Sequence, residues 1–426
     1  MAPDNTDWQL EHEYYTIADP HDLVIRVVEH EDITRTEGNG TITESKACKL
    51  HIFKVKRDTL SNSGPYFRKL LTNGNFKEAS QDTIDMHEDS VKGLALWFKL
   101  LHDKADESTY KAGIDDVWFM LATANKYGFD PGAEVATKWF GKWYEFQTRR
   151  QDHSFDYMEH QQLLFPCFTF DHIQGFRAAT KYLVYRASGH ITEKRPDGFS
   201  HDHLHMDPIV LQQLNAAKGR LKTILHRSLY APINGLLKEA RCRCRADVLY
   251  AYEQALANTG AWPLEAAFLG HSVDRVLKML DGFPGPRALT SQTCGASACS
   301  FNFAPVVGKA REECRQYFDG LCLDCMNTSK PKFGDANEDY WQHSKQGVPW
   351  DAGCRIRHQQ PSWYFSFMGR RYKMVEWVDR SHSYSNRGYG QRGAGGGGGG
   401  AGQAAAPRSV ASGEEEVHGL QELNLQ

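Results

Sequence analysis

Residues 22–29, DLVIRVVE, alternate apolar with other side chains closely enough to read as a β-strand, and the chain around them sorts itself from there. Past the polar EGNG of residues 37–40, KLHIFKVKR (49–57) sets Leu50, Ile52 and Val55 in β-favouring company. The two segments therefore read as a hairpin with a long connection. Helical period then takes over. In residues 58–76, DTLSNSGPYFRKLLTNGNF, the side chains Leu60, Tyr66, Phe67, Leu70 and Leu71 share one side, Gly64-Pro65 marks a break, and Asn73-Gly74 is a stop. TIDMHEDS (83–90) predicts a third short strand ending in an Asp/Ser cap. VKGLALWFKLLHDK (91–104) returns to helical spacing through Val91, Leu94, Trp97, Phe98 and Leu101. Outward again, Val117, Met120, Leu121 and Ala124, then Val135, Trp139, Phe140 and Trp143, predict two closing helices whose aromatic rows belong to a core.

That order of β, β, α, β, α, together with Phe53, Val55, Arg57, Leu60, Ser63, Pro65, Tyr66 and Phe67, resembles the BTB/POZ domain. Two positions depart from the family pattern: Lys56 stands where His is usual, and Gly64 separates the Ser from the Pro. The resemblance implies a protein-interaction module, often a homodimer, without catalytic chemistry. It also implies a cullin contact through an apolar residue, any residue, then Glu, which Phe76, Lys77 and Glu78 match.

The 426 residues exceed one ordinary core, and the formal net charge of -3 supplies no global field for nucleic acid or an anionic membrane. The first residues are polar and acidic, unlike a secretory signal. No run approaches the roughly 18 apolar residues of a membrane span, so an intracellular chain is expected, cytoplasmic or nuclear. Between 170 and 280 the period is helical. Its longest stretch starts at Met206-Asp207-Pro208, with Ile209, Val210, Leu214, Ala217, Leu221, Ile224 and Leu225 on one face and Gln213, Lys218, Arg220 and Lys222 on a solvated one. His201, His203 and His205 alternate in a loop and read as solvated. The last fifty residues, rich in Gly, predict a disordered tail.

The expected fold class is α+β. Its parts are a flexible N-terminus (1–18), a BTB/POZ-like domain (19–150) that folds alone, a helical region (151–290), an irregular cysteine-rich region (291–375) and the tail (376–426).

Eight of the ten cysteines fall between Cys242 and Cys354, and in a reducing compartment clustered thiols read as zinc ligands rather than disulfides. CGASAC followed by CLDC predicts a closed structural site at Cys294, Cys299, Cys322 and Cys325. Cys242, Cys244, Cys354 and His358 form a second candidate set, the last two at C-x-x-x-H spacing. The runs 318–326, FDGLCLDCM, and 361–369, PSWYFSFMG, resemble the cysteine-rich region behind the BTB domain in a large group of fungal proteins. A non-catalytic adaptor is the leading expectation, and the BTB/POZ resemblance implies delivery of a substrate to a cullin-type ubiquitin ligase. The alternatives are a nuclear regulator using the zinc region and a thiol oxidoreductase using CLDC. The second lacks a preceding strand, and the first lacks a Cys2His2 finger pattern with a basic helix.

Overall fold

The hairpin expected from residues 22–57 forms the middle of a four-stranded sheet. In the computed structural model, β2 (Leu23–Glu37) and β3 (Gly40–Val55) run antiparallel, pairing Leu23 with Val55 and Ile25 with Phe53. The residues described are 10–37, 40–87, 90–149, 154–238, 244–283, 303–327 and 353–370. The Gly-rich tail expected over 376–426 lies outside them. Glu29 opposes Lys49 and His30 opposes Ala47, so Cys48 is the extra residue of a bulge. On the core face Leu23, Ile25, Val27, Phe53 and Val55 are fully buried. β4 (Thr83–Met86) joins β2 in parallel, as the third expected strand.

The other edge corrects the sequence reading. Residues 11–16, EHEYYT, were expected in a flexible N-terminus, yet they form β1 (Glu11–Thr16), parallel to β3. Its surface side chains are polar and disguise it, but Tyr15 stacks on Phe53 with ring centroids 4.5 Å apart, and Ile17 just beyond it is buried.

Gly64 and Pro65 divide the first helical stretch into α1 (Arg57–Ser63) and α2 (Pro65–Thr72). α3 (Val91–Leu101) starts at Ser90, whose hydroxyl accepts from the Gly93 amide. α4 (Ile114–Tyr127) and α5 (Glu134–Arg149) follow as predicted, and the core between them is aromatic: Phe53, Phe67, Trp97, Phe98, Tyr127 and Phe129 meet ring to ring.

Residue 150 is not a packing boundary. Among the described residues, those before and after 150 belong to one compact unit; the larger hydrophobic cluster runs from Ile17 to Phe367, and a second, around Trp118 and Phe199, also spans 150. α6 (Tyr157–Thr169) and α7 (Ile173–Arg186) close over the first helices. Phe140 stacks on Phe170 at 4.6 Å, and the fully buried Trp118 donates its indole N–H to the Gln162 carbonyl at 2.9 Å.

The long predicted helix is α8 (Pro208–Lys238), with the expected apolar face inside. One of its supposedly solvated residues is not solvated. Lys218 is 6% exposed, and its ammonium donates to the Ser188 and Gly189 carbonyls just past the end of α7, where the helix dipole is negative. Burial first, then the nearby Lys222, lowers its pKa to about 8. α9 (Arg245–Asn258), α10 (Leu264–Gly270) and α11 (Val273–Met279) complete the helical region. The region expected to be irregular holds α12 (Ala304–Tyr317), the short α13 (Leu323–Met326) and α14 (Gln360–Met368). The fold is α+β, and among the described residues no helix is long and apolar enough to cross a membrane.

Candidate metal centre

The functional signal of the sequence is its thiols, and the structure gathers half of each predicted set into one place. Cys322, Cys325, Cys354 and His358 present one donor atom each, all within 4.8 Å of one another. Cys354 Sγ lies 3.3 Å from Cys322 Sγ, 3.6 Å from Cys325 Sγ and 3.1 Å from His358 Nε2, and Cys325 Sγ is 3.4 Å from the same nitrogen. These sulfurs are far beyond the roughly 2.05 Å of a disulfide. Cys322 and Cys325 are fully buried and His358 is 5% exposed. The four residues can hold a metal ion.

The tetrads expected from spacing are therefore recombined. Of the first set, Cys322 and Cys325 are at the centre while Cys294 and Cys299 lie outside the described residues. Of the second, Cys354 and His358 are at the centre. Cys242 lies outside the described residues, and Cys244 is the residue before α9 rather than one of the four. The C-x-x-x-H pair joins the C-x-x-C pair because α14 packs on α13 and carries the chain at 354–358 to it. The three alternating histidines of the 201–205 loop form no such group. His203 accepts from Asn125 and His205 donates to the Met206 carbonyl.

Local backbone chemistry holds the first two ligands. The loop 319–322 makes no ladder, so its polar groups must find side chains. Asp319 N donates to Ser362 Oγ at 3.1 Å, Leu321 N to Thr180 Oγ1 at 2.9 Å and Cys322 N to Ser366 Oγ at 2.8 Å. These hydroxyls are completely buried, one on α7 and two on α14. Gly320 has φ +97°, and a Cβ there would strike the Arg177 carbonyl. The glycine thus lets the loop lie against α7.

A second layer orients the rest. His358 Nδ1 donates to the Gln359 carbonyl at 3.1 Å, which leaves the Nε2 lone pair for the centre. Asp324, between the two cysteines of the C-x-x-C, accepts from the Arg355 amide at 2.8 Å and from Arg355 Nε at 2.9 Å. The same guanidinium makes two contacts, 2.7 and 2.8 Å, to Asp171 in the turn between α6 and α7. Arg370 Nε donates to the Cys325 carbonyl at 2.6 Å. None of these supporting residues stands out in the sequence; the one faint signal is Ser362 and Ser366, two hydroxyls one turn apart in an otherwise aromatic helix.

Without an ion the thiols of this cluster hold their protons. Hydrogen bonds to Cys322 and Cys354, followed by burial, push the Cys325 thiol far above its ordinary range. Burial pulls His358 down, but its hydrogen bonds to Cys322 and Cys354 outweigh that and lift it to about 10. Three thiols this close cannot all ionise by themselves, and a divalent ion among them reverses the balance.

The partner-binding residues expected from the family pattern sit elsewhere. Phe76 is 44% exposed and precedes a 3-10 turn at Lys77–Ser80, and Glu78 is half-buried with its carbonyl accepting from Arg57. No family model, curated protein or solved structure matches this chain.

Proposed function

We propose that this chain is a non-catalytic protein-interaction adaptor whose C-terminal part is folded around one structural zinc ion. The observation that carries the reading is the donor set. Three thiols and an imidazole fill a tetrahedron with protein ligands, the closed arrangement of structural zinc, whereas catalytic zinc keeps a position open for water. Ideal Zn–S and Zn–N bonds of about 2.3 and 2.0 Å set ligand atoms roughly 3.5–3.8 Å apart. The separations of 3.1–3.6 Å need only a slight expansion to reach this.

The adaptor half of the reading rests on the BTB/POZ resemblance. It is supported by the sequence of β2, β3, α1, α2, β4 and α3, and by the Pro-Tyr-Phe start of α2. On this reading the sheet-and-helix unit self-associates or binds a partner, with a cullin contact at Phe76 and Glu78, and the zinc-stapled part recognises a second protein. The thiol-oxidoreductase alternative has less support: Cys322 and Cys325 are fully buried beside a third thiol and an imidazole, whereas a redox pair must meet its substrate.

Elemental analysis and sedimentation of the full-length chain, with co-purification of a cullin by wild type and by Glu78→Arg, test the whole. One zinc per chain, a dimer, and a cullin retained by wild type and lost by the variant are the expected results. A folded chain with less than about half an equivalent of zinc contradicts the four-ligand site.

A further inference from the structure

Two grooves flank the exposed side of α8, with Thr223 lining both. The first, about 640 Å³, lies between α8, the end of α12 and α14, floored by Tyr317, Pro361, Tyr364, Phe365 and Met368, with Arg220 at its edge. The second, about 430 Å³, lies between α8 and α10, with Phe268 and Leu269 as its apolar wall and Lys222 and His226 opposite. Both volumes fall in the range of roughly 300–1,000 Å³ typical of binding clefts. Leu269 is 87% exposed and Met368 37%, so the apolar lining of the two grooves reaches the surface.

The charges along this track decide what fits. Among the described residues neither Arg220 nor Lys222 has a carboxylate within ion-pair reach, and Lys222 instead stands over the Phe268 ring at 4.8 Å. Arg227, the next cation along the helix, is already paired with Glu313 at 3.3 Å. The one acidic lining residue, Glu265, lies 3.8 Å from His226 at the far end. The chain as a whole carries -3, so attraction of an anion here is local rather than a property of the overall field. Two free cations offset too few phosphates to hold a nucleic acid, while the apolar floor would be wasted on one.

Building on the adaptor reading, we propose that this track is the docking site for an acidic peptide segment of the partner, its apolar side chains seated against Tyr364, Met368 and Leu269 and its carboxylates on Arg220 and Lys222. The C-terminal part would then recognise its partner through a face that α14 helps to build, and α14 is held in place by the metal ligands.

The test pans short random displayed peptides against the full-length, metal-loaded chain. Peptides in which Asp or Glu flanks Leu, Phe or Trp are expected to enrich. Arg220→Glu, an exposed position with no ion pair among the described residues, is expected to weaken the selected peptides about tenfold without changing the circular dichroism. Lys222→Gln should weaken them less. Enrichment of neutral or basic peptides, no enrichment, equal binding to Arg220→Glu, or equal binding of polyglutamate would overturn the proposal. Zinc content and sedimentation of the same preparation keep the two readings apart. Intact zinc and a dimer with no acidic binder sink the groove alone, whereas absent zinc sinks the zinc-stapled part of the proposed function and a monomer sinks its self-association.

Discussion

Replacing Cys354 by Ser separates the thiol–imidazole cluster seen here, as a metal site, from the set that spacing alone suggests. Structural zinc in small sites contributes on the order of 10 kcal/mol of folding free energy, because the ligands converge only in the folded chain. Cys354 supplies one of four donors and is central among them, with contacts of 3.1–3.6 Å to the other three. A serine hydroxyl is a poor ligand at neutral pH, so at least a quarter of that energy, about 3 kcal/mol, should go. The loss does not stay local. Arg355, the next residue, ties Asp324 to Asp171, and α14 seats Trp363, Phe365 and Phe367 in the common core. Measured against a total stability of about 5–15 kcal/mol, the variant should melt on the order of 5–10 °C lower. Elemental analysis should find its zinc reduced toward zero, and limited proteolysis should open the segments around 320 and 355. Cys167→Ser is the control: that thiol is also fully buried but outside the cluster, so zinc should stay. A Cys354→Ser protein with a full equivalent of zinc, beside a Cys294→Ser protein with none, would refute the assignment.

The other predictions follow from single contacts. Gly320→Ala forces a Cβ against the Arg177 carbonyl at φ +97°, and should cost about 2–4 kcal/mol in denaturant unfolding; equal midpoints would show that the loop yields. Glu78→Arg, whose side chain is half-buried on a surface turn, should leave the unfolding midpoint within about 0.5 kcal/mol of wild type while weakening any cullin contact in co-purification. His160 is 8% exposed and packs against Tyr182 with its ring tilted by 32°, and burial lowers its pKa to about 4 from an ordinary 6.5. The unfolded imidazole therefore binds its proton first, so stability is full above about pH 6.5 and declines toward pH 4, by on the order of 3 kcal/mol for this group. His160→Phe should flatten that part of the pH profile, and identical profiles would discard the idea. A fragment ending at residue 150 should bind a hydrophobic dye that the full-length chain does not, because Trp118 and Phe140 are covered by residues beyond the cut.

Where local pattern and burial agree, the sequence is readable. β2, β3, β4 and α1 to α5 were legible because each has one apolar face, and α1, α2 and α4 also end at Gly or Asn. β1 was not, since an edge strand with EHEYYT shows mostly polar side chains and owes its existence to pairing with β3, thirty-odd residues away. Lys218 was misjudged for a related reason. Helical period assigns it to the polar face, but whether a polar face meets water depends on what crosses it, and here the turn after α7 does. The boundary at 150 failed similarly, because composition shows no sign that Phe165, Phe170 and Phe199 will close over Trp118 and Phe140.

The metal ligands were legible as types and as pairs, but not as a tetrad. A C-x-x-C and a C-x-x-x-H are each readable because a single turn determines whether two donors can face one ion. Which pairs share the ion is a tertiary matter, and chain distance is a poor guide to it: Cys299 is nearer to Cys322 along the chain than Cys354 is. The choice is made by Thr180, Ser362 and Ser366, which accept the amides of the 319–322 loop and so bring α7 and α14 to it, and by Arg355, whose position beside Cys354 lets it clasp Asp324 between the other two thiols. Each of these is an ordinary polar residue in sequence. The three hydroxyls are wholly enclosed, so pairing the loop with any other helix would leave its amides unmet, at about 1–3 kcal/mol for each. The convergence of the third and fourth donors therefore resides in the hydrogen bonds and the Arg355–Asp324 ion pair around the cluster, which narrow its geometry before any ion binds.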